Sequence, residues 1–447
     1  MIQASYGWNG SPPRRLSWET GAENADDDEE EDSTTVLCAM LESNDWAGAL
    51  SRIASHPAEC MSIHQEGRRP LHLACADDAP AVVVQALCKA HPEASVMVGT
   101  SGMTPLHLTC SSPHASVHVV RVLLELGLPA QCAVRDLDGD TVLHTACRSG
   151  APVEVLEVLL RANPTAVHER DYEGLTPLLR LWVRYVVTLG GDAWQDMADA
   201  DLFDSNQSNS DLGQAWSKTV LLLRTAYYGS LEQPHNNNIT TQSNDPYVVH
   251  AAAAIDCPRP VLQMAARVFA TQLNQRDRNG LTPLQIAAQA PIFDERDLSD
   301  EGYLLEDVVH GDESSTDSAR PHQSSQQPAN KSNDTSSTTA SSLSVLEILL
   351  QANAAQPCGG ASVPDPLGRL PLHVALATGK RWAPHGVGAL VLAYPEGLCQ
   401  ADPTGDVPFL LAARGNDADL DTAYQVLRYN PSVLTDVVEG KVPRQPR

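Results

Sequence analysis

The chain has 447 residues, a formal net charge of −26, and 42% apolar but only 5% aromatic residues. Enough apolar surface is present for a sizeable core, packed mostly by small aliphatic side chains. The acid excess repels phosphate backbones, which argues against nucleic acid as a partner and favours basic proteins, and it also keeps a chain soluble. No run reaches the roughly 18 apolar residues of a membrane span. The stretch Met1–Gly7 lacks the apolar core of a secretory signal. Ten cysteines show no tight pairing pattern, as in a reducing compartment. The reading is an intracellular protein, cytoplasmic with the nucleus left open.

In chain order, residues 1–35 form an acidic tail that includes the run Asp26 to Asp32. This composition predicts disorder. Ser11, before Pro12, fits a proline-directed kinase pattern, and Ser17, after Arg14 and Arg15, fits a basophilic one. Phosphate on either would favour an Arg cluster on a partner. Residues 36–66 hold two helix-like pieces, Val36–Ser43 and Trp46–Ser55, followed by His56-Pro57. They read as a capping unit.

From residue 67 to about 440 one phrase keeps returning. It reads Arg69-Pro70-Leu71-His72, Thr104-Pro105-Leu106-His107 and Thr141-Val142-Leu143-His144, each running on to Cys75, Cys110 or Cys147. Weaker copies place slots at 179, 250, 285, 373 and 410, so successive gaps are 35, 37, 35, 71, 35, 88 and 37. The phrase resembles the ankyrin repeat, whose signature is Thr-Pro-Leu-His and whose common unit is about 33 residues. The resemblance covers roughly residues 36 to 440. It implies an all-α, α-α solenoid with short β-hairpin loops, in about eight to nine units. Slots 179, 285 and 410 hold Leu, Gln and Leu, which makes those units degenerate.

The third unit shows how the sequence builds the element. Asp138-Gly139 signals a turn. Thr141 can cap a short helix with Ala146 and Cys147 on its inner side. Ser149–Pro152 breaks it, and a second helix runs from Val153 to Ala162. Asn163-Pro164 stops that helix. The same stop recurs at His91-Pro92, Leu128-Pro129, Tyr394-Pro395 and Asn430-Pro431. Thr165–Asp171 reads as an extended stretch that, by the resemblance, leads into a projecting hairpin finger. The last unit, Gly405 to Glu439, carries Asp417, Asp419, Asp421 and Arg428 and reads as the other cap, before a tail at 441–447.

Two gaps are too long. Helix patterns resume at Ala215–Tyr228 and Leu343–Ala352. Insertions therefore fall at about 190–214 and 290–342, between the two helices of one unit, and the Ser-rich part of the second reads as disordered. A second reading hides a degenerate extra unit in 190–245. Because helix–helix turns lie opposite the fingers, the insertions are expected to project away from the binding face.

No phosphate-binding loop, zincin motif, nucleophile elbow or Cys-x-x-Cys pair is present. His-x-x-Cys recurs at 72/75, 107/110 and 144/147, but one repeat offers only two of the four donors zinc takes. Stacked helices about 8–10 Å apart also hold the cysteines beyond the roughly 7 Å that a disulfide bridges. No cofactor or metal is expected. The resemblance implies that His72, His107, His144, His250 and His373 bond to backbone in the neighbouring turn.

The expected function is a non-enzymatic scaffold, monomeric, that holds a protein partner on its fingers and first helices. Candidate contact positions are Asp77, Asp78, Ser111, Ser112, Asp136, Asp138, Arg148, Tyr172, Glu173, Arg278 and Asn279. The alternative is an adaptor or regulatory subunit whose tail or Ser-rich insertion recruits a kinase, phosphatase or ubiquitin ligase. An enzyme with its site in the insertions is the third reading, opposed by how poorly short polar segments position catalytic groups.

Overall fold

The computed structural model describes residues 35–64, 67–189, 211–229, 247–292, 343–414 and 419–432. Several expectations concern residues outside this set. They are the tail with Ser11 and Ser17, most of both insertions, the bulk of any extra unit in 190–245, Asp417, and the tail at 441–447.

The described residues form paired helices. The first five pairs are α1 (Val36–Glu42) with α2 (Trp46–Ser55), α3 (Pro70–Ala76) with α4 (Ala81–Ala90), α5 (Pro105–Cys110) with α6 (Val117–Leu126), α7 (Val142–Ser149) with α8 (Val153–Ala162), and α9 (Pro177–Leu189) with α10 (Asp211–Tyr228). Four more follow: α11 (Val248–Ala254) with α12 (Arg259–Val268), α13 (Pro283–Gln289) with α14 (Val345–Ala352), α15 (Pro371–Ala377) with α16 (Val387–Ala393), and α17 (Pro408–Arg414) with α18 (Leu420–Tyr429). Helices α9 and α10, and likewise α13 and α14, pack together across the long segments that separate them in sequence.

Local chemistry sets these boundaries. Pro70, Pro105, Pro177, Pro283, Pro371 and Pro408 open first helices, where their missing N–H leaves no helix hydrogen bond unmade. Thr104 and Thr282 offer hydroxyl oxygens to the backbone N–H of His107 and Gln285. Pro80, Pro152 and Pro258 stand at the N-caps of second helices.

First helices stack on first helices from α1 through α9, and second helices on second helices from α2 through α10. One core runs continuously from Leu37 to Val426. Leu71, Leu106, Leu156, Leu178 and Leu222 are among its fully buried side chains, each contributing about 1.5–3 kcal/mol by leaving water. No pair could cover this surface alone, so each unit depends on its neighbours. Cys75, Cys110 and Cys147 sit in this core as free thiols. Burial pushes the Cys75 thiol up to about 12 and raises the other two further.

Two expectations need correction. The extended stretch after each proline stop is instead a 3-10 turn, at Pro57–Met61, Pro92–Val96, Pro129–Ala133, Pro164–His168 and Pro395–Cys399. Proline ends the second helix, but its fixed φ also starts a new turn. The β-hairpin finger shrinks to one antiparallel bridge, Arg135 with Thr141, and no strand occurs among the described residues. In the last unit, α18 exposes Asp421 and Arg428. Asp419 caps the helix by accepting from the Thr422 N–H at 3.1 Å, while Leu420 and Tyr424 stand exposed.

Candidate partner-binding surface

Each tip is a four-residue turn closed by its own backbone. In the third unit the Gly139 N–H donates to the Asp136 carbonyl at 3.1 Å, and the Asp136 N–H donates to the Asp140 carbonyl at 3.0 Å. The Asp136 carboxylate faces inward and accepts from the N–H groups of Asp138 (3.0 Å) and Asp140 (2.8 Å). Asp171, Asp277, Asp365 and Asp402 repeat that role in later turns. Asp136 is therefore buried inside the turn, and its side chain is not presented to a partner.

The turn needs glycine at its end for two reasons. Gly139 has φ +80, a region that costs other residues about 1–2 kcal/mol. A Cβ there would also lie 2.7 Å from Cγ of Tyr172, because the next turn lies directly against it. The Tyr172 N–H donates to the Asp138 carbonyl at 3.1 Å and fixes that approach.

The sequence reading passed over a recurring arginine. In Arg135-Asp136, Arg170-Asp171 and Arg276-Asp277 the guanidinium donates to the carbonyl of the glycine ending its own turn, at 2.8, 2.7 and 2.7 Å. Each also reaches onward: Arg135 through the same Nη1 to the Arg170 carbonyl, and Arg170 and Arg276 through Nη2 to Asp256 and the Pro364 carbonyl. Arg135 also pairs with Glu169. Arg-Asp-x-x-Gly, three times in the sequence, was the available signal.

The histidines link the turns from inside. The Nε2–H of His72, His107, His144, His250 and His373 donates to the carbonyls of Met97, Asp140, Leu175, Gln275 and Gln400, at 2.9–3.3 Å. In four of them Nδ1 accepts from the N-cap backbone N–H, of Arg69, Thr104, Thr141 and Leu370. A donor at Nδ1 and an acceptor at Nε2 fix a neutral ring with its proton on Nε2. Burial holds His72 and His144 down to about 4. Gln285, read as degenerate, makes the same pair of bonds: its Oε1 accepts from the Thr282 N–H at 2.9 Å and its Nε2 donates to the Val363 carbonyl at 2.9 Å.

Two neighbouring turns and the Arg148 beside them gather five of the eleven expected contact residues, Asp136, Asp138, Arg148, Tyr172 and Glu173. Arg148 lies 3.5 Å from Asp138, 3.3 Å from Asp140 and 4.0 Å from Asp136. Arg180, another residue missed from sequence, binds Asp171 at 2.6 Å and Glu173 at 3.0 Å, and approaches Asp140 at 3.7 Å. Asp140 is fully buried, and that burial pushes its carboxyl up to about 6 against the pull of Arg148 and Arg180. Beside this network stand Leu137 (68% exposed) and Tyr172 (75% exposed). The Asp138 and Glu173 side chains are 62% and 57% exposed.

The remaining positions lie apart. Asp77 and Asp78 are exposed at the end of α3. Ser111 donates back to the Leu108 carbonyl, and Ser112 accepts from the His114 N–H. Arg278 lies over the Tyr228 ring, 4.6 Å from its centroid, and Asn279 folds onto Asp277.

Residues 71–171 match the family described as ankyrin repeats, in three copies. The chain contains ankyrin repeats. No curated protein matches it. Ankyrin repeats are in general protein–protein interaction modules and typically not enzymes, and the helix stacking described above continues the ankyrin solenoid on both sides of the matched residues. Among the described residues, no helix is long and apolar enough to cross a membrane.

Proposed function

We propose that this ankyrin array is a scaffold that holds a protein with a basic surface, and that the contact centres on Leu137, Asp138, Tyr172 and Glu173. The observation that carries this reading is the pair of large side chains, Leu137 and Tyr172, standing out on adjacent tips with exposed carboxylates beside them. Folding alone gives no reason to leave two such groups in water side by side, whereas interface anchors are drawn from these types. Five carboxylates, Asp136, Asp138, Asp140, Asp171 and Glu173, face two arginines, Arg148 and Arg180. The surplus is negative, and the whole chain carries −26, so a basic partner is steered toward this surface.

The test is affinity capture with quantitative mass spectrometry from cells. The wild type is compared with Asp138→Asn combined with Glu173→Gln, two exposed changes that remove the charge without setting a cation beside Arg148 or Arg180. The variant is expected to lose the specific partners of the wild type while keeping its thermal melt. Full retention of every partner by a folded variant rejects this surface.

A further inference from the structure

Beneath the same two tips lies a buried charge that the fold does not use, and the inference drawn from it rests on the proposed contact surface. Asp140 closes the third turn with its backbone. Its carbonyl accepts from the Asp136 N–H at 3.0 Å and from the Nε2–H of His107 at 3.3 Å. Met103, Leu175 and Leu281 close the corresponding turns with the same carbonyl, so the turn asks nothing of the side chain. Yet the Asp140 carboxylate is fully buried, and neither oxygen has a hydrogen-bond partner among the described residues. The Asp136 and Asp171 carboxylates, by contrast, accept from backbone N–H groups. A buried carboxylate without hydrogen bonds is the costly case, and taking up a proton lowers that cost.

Two arginines at ion-pair distance oppose the proton, Arg148 Nη2 at 3.3 Å and Arg180 Nε at 3.7 Å. Both are shared with the surface. Arg148 Nη1 lies 3.5 Å from Asp138, and Arg180 Nη1 lies 3.0 Å from Glu173. Arg180 is buried and fixed by Asp171 at 2.6 Å. Arg148 is the freer of the two, 39% exposed and divided between Asp138 outside and Asp140 inside. The other charges facing Asp140 are Asp136 and Asp171, which disfavour its ionisation. His107 on α5 and His144 on α7 are kept neutral by burial. Arg135, on the same turn, is directed to Gly139, Arg170 and Glu169.

We propose that Asp140 is a proton-operated switch on the contact surface. Ionised, it draws Arg148 inward and leaves Asp138 open to a cation of the partner. Protonated, it releases Arg148 to Asp138, which is then neutralised from within, and the basic partner is let go. Burial sets the Asp140 carboxyl at about 6, so the surface is open above that value and closes as pH falls through it. By reciprocity, a partner cation on Asp138 holds Asp140 ionised and lowers its carboxyl.

The test uses the full chain and a rhodamine-labelled peptide of alternating leucine and lysine, read by anisotropy between about pH 7.5 and about pH 5.5, where ordinary carboxyls stay ionised. Binding to the wild type is expected to weaken about tenfold over that range, the effect of losing one charge contact. Asp140→Asn, neutral throughout, is expected to bind weakly at both ends. Every other titrating group is unchanged in it, so its difference from the wild type isolates Asp140. Asp140→Leu, which copies Leu175, gives the same reading if the amide disturbs the fold. Arg148→Gln is expected to keep its affinity at the lower pH, because nothing then moves onto Asp138. An unchanged wild-type affinity across the range, still abolished by Asp138→Asn with Glu173→Gln, overturns the switch and leaves the contact surface standing. Full pH dependence in Asp140→Asn and Asp140→Leu does the same. No binding, or binding indifferent to the tip variant, overturns both.

Discussion

The helix pairs from α3 to α9 differ from the seam where α10 meets α11, and the difference separates two jobs of the repeat histidine. In the regular run each first helix leans on the next, and each histidine is held at both ring nitrogens. At the seam the helix packed against α11 from the preceding pair is α10, a second helix. The N-cap there, Tyr247, has φ +76 instead of the extended backbone of Thr104 or Thr141. Its N–H no longer reaches the ring, and His250 Nδ1 is left buried without a partner, although Nε2 still donates to Gln275 at 3.0 Å. The forward link between units thus survives a change that breaks the link to the histidine's own N-cap. Aromatic side chains gather at this seam. Tyr247 meets His250 edge-on at 5.0 Å, Trp216 stacks with Phe269 at 6.5 Å, and the Tyr227 hydroxyl donates to Asp277 at 2.6 Å.

If the seam alters only polar links, core packing costs the same on both sides of it. Leu106→Ala and Leu262→Ala, both at fully buried positions, are each expected to cost about 2–5 kcal/mol in denaturant unfolding. A cost under about 1 kcal/mol at Leu262 alone breaks the comparison, because the seam would then be loosely packed as well.

The next effect is pH dependence in the regular run. Burial holds His144 at about 4, with Asp171 pulling up and Arg135 and Arg180 pushing down. The unfolded ring titrates near 6.5. Between those values the unfolded chain binds more protons, so stability is full above about pH 6.5 and falls as pH drops toward 4. The lost part is up to about 3 kcal/mol for this group. Asp140, raised to about 6, acts in the opposite sense, since its contribution is lost as pH rises through 6. The histidine share is therefore the difference between wild type and His144→Gln, whose amide can keep both bonds as Gln285 does. Parallel stability–pH curves for the two would show that this ring does not titrate with folding.

A smaller contrast isolates the missing bond. His144→Ala strands the Thr141 N–H and the Leu175 carbonyl, while His250→Ala, measured against Tyr247→Gly in a chain that carries both changes so that the ring contact is absent throughout, strands only the Gln275 carbonyl. The first is expected to cost about 1 kcal/mol more, the usual worth of one hydrogen bond. Equal melts would mean that Nδ1 contributes nothing in the regular run either.

Much of this was legible in sequence. Periodic apolar residues, Thr-Pro starts and X-Pro stops set the boundaries of α7 and α8, and the Val153–Ala162 prediction coincides with the helix found. What escaped was direction. Asp136 and Asp138 look alike in a turn, yet one carboxylate folds onto backbone N–H groups and the other faces water, a choice made by turn closure and not by residue type. Gln285 looked like a lost histidine because identity was compared instead of its donor and acceptor. Arg180 carried no sign of Asp140, since that approach exists only after the units stack, nor of Asp171, nine residues back in its own unit, which turn closure brings to it. The neighbour of α11 was equally hidden, because a long gap between slots does not say which helix row will fill it.

The smallest effect is at Tyr247, and its sign is informative. Tyr247→Gly relieves a left-handed backbone worth about 1–2 kcal/mol and removes an edge contact with His250 worth about 0.5–1.5 kcal/mol. The two nearly cancel, so the melt is expected to move by less than about 1 kcal/mol. Gly139→Ala in the regular run has no such offset. It imposes left-handed strain and presses a methyl onto Tyr172, so a loss of about 1–2 kcal/mol or more is expected there. If Tyr247→Gly instead costs more than about 2 kcal/mol, the tyrosine is the main fastening of the seam and its backbone strain is incidental. A gain above about 1 kcal/mol would mean that the strain outweighs the ring, and that this joint is held in a conformation its own sequence resists.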